Sequence, residues 1–453
     1  MKSINPYTGT LLKEFQEHTD QEVEKAIQQG QQAYLKWRNI PLSERCELMK
    51  KAGKVLRNNQ DKYAKIISLE MGKVITESKA EVEKCAWVCE YYAEKADEFL
   101  SDEPIDLPDQ KKAKVVYNPL GVILAVMPWN FPFWQVFRFA APNLTAGNTG
   151  LLKHASNVPQ CALAIEEVFT EAGFPKSVFQ TLLIGSDKVE NVIDHPHVKA
   201  VTLTGSEKAG QKIASQAGKH IKKTVLELGG SDPFIVLKDA DIEEAAKVAA
   251  KGRMINFGQS CIAAKRFIIE GPVYDAFIEA FKSHIASYSQ GDPLDENAGY
   301  ACMARPDLAE ELYKQVKSSI DKGAEVILEG MEPEEGKAFF KPYILGNLTP
   351  EMPAYKEELF GPVASVFKVK DENEAISLAN DSDFGLGSAL WTKDPEKADR
   401  LSRQIESGAV FINSMVASNP HLPFGGIKNS GYGRELAENG IKEFMNIKTV
   451  YVG

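Results

Sequence analysis

Between Gly121 and Glu227 short apolar, β-rich runs alternate with helical stretches, and this alternation limits the possible folds more than any other feature of the chain. Residues 122–126 form the first such run, followed by a turn at Pro128-Trp129-Asn130 and a helix to about residue 146. Residues 150–153 lead into a helix over 159–172, closed by Gly173. Strands over 178–184, 200–204 and 224–227, with helices over 186–193 and 206–217, complete the series. Repeats of this length predict a parallel sheet with right-handed crossovers. Ligands of such sheets bind beyond the carboxyl ends of the strands. Here those ends carry Asn130, Lys153, Gly205 and Glu227, so a nucleotide site is expected there.

The flanking chain has a different character. Residues 19–100 read as mostly helical, with Thr19-Asp20-Gln21-Glu22 as a capping box for a helix to about 37. Further helices are expected over 43–58, 61–71 and 77–100, with Gly72 as a stop signal. Residues 102–108 break the helical pattern and 112–118 read as extended. From about Asp232 a second αβ stretch begins, with helices over 242–256, 273–288 and 306–322. Its strands are expected over 266–270, 325–328, 364–369, 386–391 and 409–413. The tail 448–452 is β-prone and suits an edge strand added to another element or another subunit.

A length of 453 residues calls for two or three domains. With 53 Lys+Arg against 63 Asp+Glu the net charge is −10, which argues against nucleic acid or an anionic membrane as the main partner. Any site for an anionic substrate must then be made positive locally. No apolar run has the length of a membrane span, and Met-Lys-Ser-Ile-Asn-Pro-Tyr-Thr-Gly lacks the core of a signal peptide, so a cytoplasmic protein is expected. Six cysteines do not suggest a disulfide framework. Cys85 and Cys89 at i, i+4 read as packed helix side chains, and Asp-His195-Pro-His197 as a solvated turn. No metal site is expected from either.

Four segments carry chemistry. Gly258-Gln259-Ser260-Cys261 places a thiol in a small-residue loop, and Leu226-Glu227-Leu228-Gly229-Gly230 places a carboxylate after a strand. A thiolate nucleophile and a base that later activates water are what acyl chemistry through a thioester requires. Pro128-Trp129-Asn130-Phe131-Pro132 projects an amide side chain from a turn; it reads either as an oxyanion donor or as a cap for the next helix. Thr204-Gly205-Ser206 opens a helix whose N-terminal amides suit a phosphate, with Gly210 five residues on; an ordinary strand-to-helix turn is the competing reading.

In combination these segments resemble the aldehyde dehydrogenase superfamily. Glu357-Glu358-Leu359-Phe360-Gly361-Pro362 and the Gly-rich run 423–434 extend the resemblance over nearly the whole chain. It implies an α/β fold with a modified Rossmann cofactor domain (1–100 and 120–228), a second αβ catalytic domain (229–430) and a β oligomerisation arm (101–119 and 440–453). It also implies Cys261 as nucleophile, Glu227 as base, and Asn130 with the Cys261 amide as the oxyanion site. Trp129, Lys153, Ser156, Thr204, Gly205, Ser206, Glu227, Leu228, Glu358 and Phe360 are the implied cofactor residues. Relatives that prefer NAD often carry a glutamate at the place of Ser156. Serine there, beside Lys153, favours NADP, with NAD possible.

Trp134 and Arg138 share a face of the helix after the oxyanion turn. An arginine facing an aldehyde pocket suits a substrate carboxylate; a salt bridge within the domain is the competing reading. Lys-His-Ala-Ser, Phe-Gly-Gln-Ser-Cys and this arginine are similar to the short bacterial succinate-semialdehyde dehydrogenases, and the similarity adds Ser260 and Ser418 to the carboxylate site. Redox-regulated forms of that group carry a second cysteine two residues after the nucleophile, where this chain has Ala263. The implied product is a carboxylic acid and the implied assembly a homodimer or homotetramer. A broad-range aldehyde dehydrogenase, a cofactor-independent thiol esterase and a catalytically inactive binding member of the fold remain as alternatives.

Overall fold

The computed structural model describes residues 1–108 and 111–453. The segment 101–119, expected to join subunits, runs through residues 109 and 110, which lie outside the described residues. Helices α1 (Asp20–Trp37), α2 (Leu42–Asn58), α3 (Gln60–Met71) and α4 (Ile75–Leu100) form the N-terminal layer. The capping box of α1 is present: the Glu22 amide donates to Thr19 Oγ1 at 3.3 Å and the Thr19 amide to Glu22 Oε2 at 2.8 Å. Gly72 ends α3 in the left-handed conformation, as a stop signal should.

The alternation then produces β1 (Val122–Met127), α5 (Trp134–Ala146), β2 (Thr149–His154), α6 (Pro159–Glu171), β3 (Phe179–Thr181), α7 (Val189–Asp194), β4 (Val198–Thr204), α8 (Glu207–Lys219) and β5 (Lys223–Glu227). These five strands are parallel in the order β5-β4-β1-β2-β3, and Gly431–Tyr432 closes the β5 edge antiparallel. Strand β1 is apolar on both faces because both are covered. Ile123 and Ala125 pack into a core with α2 to α6, while Val122 and Leu124 pack against α1, α7 and α8.

A second sheet of seven strands follows: β6 (Pro233–Val236), β7 (Arg266–Glu270), β8 (Glu325–Leu328), β9 (Tyr343–Gly346), β10 (Val363–Val369), β11 (Gly387–Trp391) and β12 (Ala409–Ile412). Their order is β8-β9-β10-β7-β6-β11-β12, with only β8 antiparallel. Strands β6 and β9 have no counterpart in the sequence reading. Each is four residues long and wholly buried, so neither shows alternation. Helix α9 (Ile242–Met254) stops before the expected residue 256 because Asn256 and Phe257 adopt left-handed φ values of 50° and 52°. A third, antiparallel sheet joins Met445–Val452 to Lys112–Pro119 and that strand to Glu103–Asp106. No helix among the described residues is long and apolar enough to cross a membrane.

Candidate active site

A cavity of about 400 Å³ opens among α4, α5, α9, the Cys261 loop and the loop 415–418. Its wall brings together Trp134, Arg138, Ser260, Cys261 and Ser418, five residues drawn from distant parts of the chain. Cys261, Trp134 and Arg138 are expected near a substrate from their motifs, and Ser260 and Ser418 from the family resemblance. Asn130 and Glu227 are not part of this wall; both are buried nearby, at 4% and 2% exposure.

The nucleophile loop is held by an unusual backbone. Asn256 and Phe257 are consecutive left-handed residues; asparagine tolerates this region, but an aromatic residue there is strained. Phe257 is fixed by stacking on Tyr300, with ring centroids 4.5 Å apart and planes 6° from parallel. Asn256 Nδ2 donates to Asn130 O at 2.8 Å and to Gln259 O at 3.0 Å, while the Glu77 carboxylate accepts the Asn256 amide. Asn130 Nδ2 also donates to Gln259 O at 3.0 Å, which leaves its other N–H without a partner among the described residues. Lys265 closes the loop from behind. Its buried ammonium donates to the carbonyls of Ser260 (3.0 Å), Cys261 (2.8 Å) and Ala263 (3.2 Å).

Helix α5, which carries Trp134 and Arg138, has no side-chain cap of its own. Glu81 of α4 supplies one: its Oε1 accepts the amides of Phe133 at 2.9 Å and Trp134 at 3.0 Å. Glu81 is in turn paired with Lys73, and both side chains are buried. Glu70 caps α6 in the same way through the amides of Gln160 and Cys161. At the end of β2, His154 Nε2 donates to Pro132 O at 2.8 Å and Nδ1 accepts the Ala155 amide, which ties the strand to the Asn130 turn. Burial holds this imidazole neutral, its pKa brought down to about 4.

Charge in the centre is organised around Arg138. Its guanidinium pairs with Glu435, donates to Thr204 Oγ1 at 3.3 Å, and stacks over Phe424 at 4.5 Å. This arginine therefore forms an internal ion pair and also lines the cavity. Burial pushes the Cys261 thiol up to about 12, with Arg138 and Lys265 opposing. Burial also raises Glu227 well above the usual carboxylate range, helped by Glu435 and opposed by Arg138 and Arg434. Neither Glu227 oxygen, nor Asn130 Oδ1 or Gln135 Oε1, has a hydrogen-bond partner among the described residues. Buried polar atoms left unsatisfied in one place mark a site for a polar ligand.

A second group of residues lies at the carboxyl ends of the first sheet. Ser206 caps α8 through the Ala209 amide, and a Cβ on Gly205 would meet nothing closer than Leu203 at 3.8 Å, so the helix terminus is open. Gly210 has another purpose: a Cβ there would lie 2.6 Å from Leu228, whose side chain packs onto α8. Lys153 is buried with no carboxylate paired to it among the described residues, and exposed Ser156 lies beyond it. Glu358 Oε1 accepts the Gly230 amide at 3.0 Å and pairs with Lys265 at 3.2 Å. Gly229 is required for that approach, because its Cβ would fall 2.4 Å from Glu358 Oε2. Trp129 and Phe360 meet edge-on with centroids 5.8 Å apart. An open helix terminus, an unpaired lysine and an aromatic pair fit a dinucleotide.

A family model described as the aldehyde dehydrogenase family matches residues 1–450. The chain belongs to the aldehyde dehydrogenase family. It is 50% identical over 450 residues to a probable NADP(+) succinate-semialdehyde dehydrogenase of Synechocystis, covering 99% of both chains. It is 47% identical over 452 residues to succinate-semialdehyde dehydrogenase [NADP(+)] 1 of Mycobacterium tuberculosis, again covering 99% of each. The solved succinic semialdehyde dehydrogenase of Streptococcus pyogenes in complex with NADP+ superposes with a TM-score of 0.97 at 42% identity, over 100% of this chain and 99% of that one. Within this aldehyde dehydrogenase, Lys73, Glu77, Glu81, Lys84, Lys265 and Glu435 are site residues that sequence reasoning missed. Apart from the position of Lys265 four residues after Cys261, no local signal marks them.

Proposed function

We propose that this aldehyde dehydrogenase oxidises succinate semialdehyde to succinate, using NADP in preference to NAD. The observation that carries the reading is the single cavity joining Cys261 and Ser260 to Trp134, Arg138 and Ser418. The names of the relatives from Synechocystis and Mycobacterium tuberculosis support the same substrate and cofactor.

In this reading the Cys261 thiolate attacks the aldehyde carbon, and the alkoxide is received by the free Asn130 N–H and the Cys261 amide. The resting thiol is protonated, because burial outweighs Arg138 and Lys265. Attack therefore requires that proton to pass first to solvent water in the cavity. When bound, the nicotinamide supplies the hydride acceptor that turns the thiohemiacetal into a thioester. Glu227, as carboxylate, then takes a proton from water as its oxygen attacks the thioester; succinate departs and Cys261 is left as thiolate. Thr204, Gly205, Ser206 and Leu228 would hold the pyrophosphate side of the cofactor. Lys153 and Ser156 would hold the adenosine 2′-phosphate, and Trp129, Glu358 and Phe360 the nicotinamide end. Serine at 156 puts no carboxylate against a 2′-phosphate, and Lys153 adds positive charge.

We assign residues 1–100 and 120–228 to cofactor binding and 229–430 to catalysis. The three-stranded arm would join subunits in a homodimer or homotetramer. Ile447, Tyr451 and Val452 are 63%, 51% and 61% exposed on it, more apolar surface than a solvated strand needs. Ile447→Glu should then lower the molar mass seen in light scattering; unchanged mass would remove the arm from the interface.

The functional reading is tested by initial rates with succinate semialdehyde and with butanal, each with NADP and NAD, in the parent enzyme and Arg138→Ala. Glu435→Gln is added to the variant so that no buried carboxylate is stranded. A preference for the semialdehyde and for NADP, reduced by loss of Arg138, is expected. Equal rates on both aldehydes would leave a broad-range enzyme and remove Arg138 from substrate binding.

A further inference from the structure

Arg138 enters the cavity with its charge already balanced by Glu435. A substrate carboxylate brought to that pair alone would meet a guanidinium whose field the Glu435 carboxyl weakens at contact distance. A different cation on the same wall has no such partner. Lys84 projects from α4, its Nζ lies 4.3 Å from the centre of the Trp134 ring, and it donates to Ser418 Oγ at 2.7 Å. Among the described residues no carboxylate pairs with it. The acidic groups nearest on the wall are committed elsewhere: Glu81 to Lys73 and two amides, Glu77 to the Asn256 amide. Lys251, the remaining lysine of the wall, is exposed.

We propose that Lys84 is the ammonium that receives the substrate carboxylate, with Ser418 as its hydroxyl partner and Arg138 as the more distant, partly neutralised cation. The inference rests on the semialdehyde reading and specifies how that site recognises its anion. A half-buried ammonium held between an indole ring and a hydroxyl is only partly compensated. Burial and the positive charge of Arg138 bring its pKa down to about 8, against smaller favourable contributions from Cys85 and Glu81. Lys73 lowers it further, by less than Arg138 does. An incoming carboxylate would supply the missing counter-charge. The same two atoms, Lys84 Nζ and Ser418 Oγ, would then discriminate charged from neutral aldehydes. Because Lys84 is a cation only below about pH 8, recognition of the carboxylate should weaken above that pH.

The test compares KM and kcat for succinate semialdehyde and butanal in the parent enzyme, Lys84→Met and Lys84→Arg, between pH 6.5 and 9.5. Loss of a charge-assisted hydrogen bond predicts a KM for the semialdehyde raised about tenfold to a hundredfold in Lys84→Met. The semialdehyde-to-butanal ratio of kcat/KM should fall by a similar factor and recover partly in Lys84→Arg. In the parent enzyme the KM for the semialdehyde, relative to butanal, should climb above about pH 8. A ratio in Lys84→Met within twofold of the parent overturns the proposal, as does a relative KM that stays flat through pH 8. Should Lys84→Met not fold, the pH arm on the parent enzyme decides alone. A parent enzyme with no preference for the semialdehyde would instead overturn the substrate reading itself, and the role of Lys84 with it.

Discussion

Replacing Lys73 by methionine isolates the charge that supports the start of α5. The Lys73–Glu81 pair is wholly buried, with side-chain exposures of 0% and 1%. Removing one member of such a pair costs about 3–5 kcal/mol, because the remaining charge is stranded. The two amide hydrogen bonds that Glu81 keeps to Phe133 and Trp134 place the expected loss at the lower end of that range. Unfolding entropy of about 2.1 cal/mol/K per residue corresponds to about 1 kcal/mol per degree if all 453 residues melt together. The first melting transition should therefore fall by about 3 °C, and by about twice that if only the N-terminal half unfolds in it. Because Glu81 fixes the helix that follows Asn130, kcat for butanal should fall as well. The double variant Lys73→Met, Glu81→Leu removes both charges and should recover most of the melting temperature, though not kcat, since α5 stays uncapped. Differential scanning fluorimetry and a butanal assay on the same preparations measure both effects. A single variant that melts within 1 °C of the parent would refute the reasoning, as would a double variant no more stable than the single.

Three further outcomes follow from the site. Glu435 is the second-largest influence raising Glu227, after burial, so Glu435→Gln should lower the Glu227 pKa and free the charge of Arg138 to act on it. Since hydrolysis needs the carboxylate form, which exists above that pKa, the acid limb of kcat should move to lower pH; a limb that stays in place or moves alkaline would contradict it. Glu227→Gln should keep a stoichiometric burst of reduced nucleotide and lose steady-state turnover by at least about a hundredfold, seen by stopped-flow absorbance at 340 nm; loss of the burst too would place Glu227 before hydride transfer. Ser156→Glu should raise the KM for NADP about tenfold or more while leaving that for NAD within a fewfold, by like-charge repulsion of the 2′-phosphate; equal changes in both would put residue 156 outside the adenosine site.

Much of this protein can be read locally. Strand–helix alternation over 121–227, the capping box at Thr19, the stop at Gly72 and the thiol loop at Cys261 each depend on neighbours within a few residues. Their identities therefore survive in the order of amino acids. Strands β6 and β9 do not, since a four-residue apolar strand buried on both faces has no period to detect. Helices α5 and α6 were placed correctly by pattern, yet their N-termini are capped by Glu81 and Glu70 from other helices, which no local rule would find.

The same division runs through the site. Chemistry could be assigned to Cys261, Glu227, Asn130 and Arg138 from residue type and motif, and to Ser418 through the family resemblance. Which charge faces which could not. Arg138 was expected in the pocket and stands there, but its partner Glu435 lies almost three hundred residues away in the chain. Lys84 carries no local signal in its helix; packing places it over Trp134, with no carboxylate paired to it among the described residues. Hydrophobic periodicity and turn chemistry are short-range and are written in sequence. Coulomb energy and desolvation depend on distance and burial, so only the tertiary structure decided which ionisable groups are neutralised and which remain for a substrate.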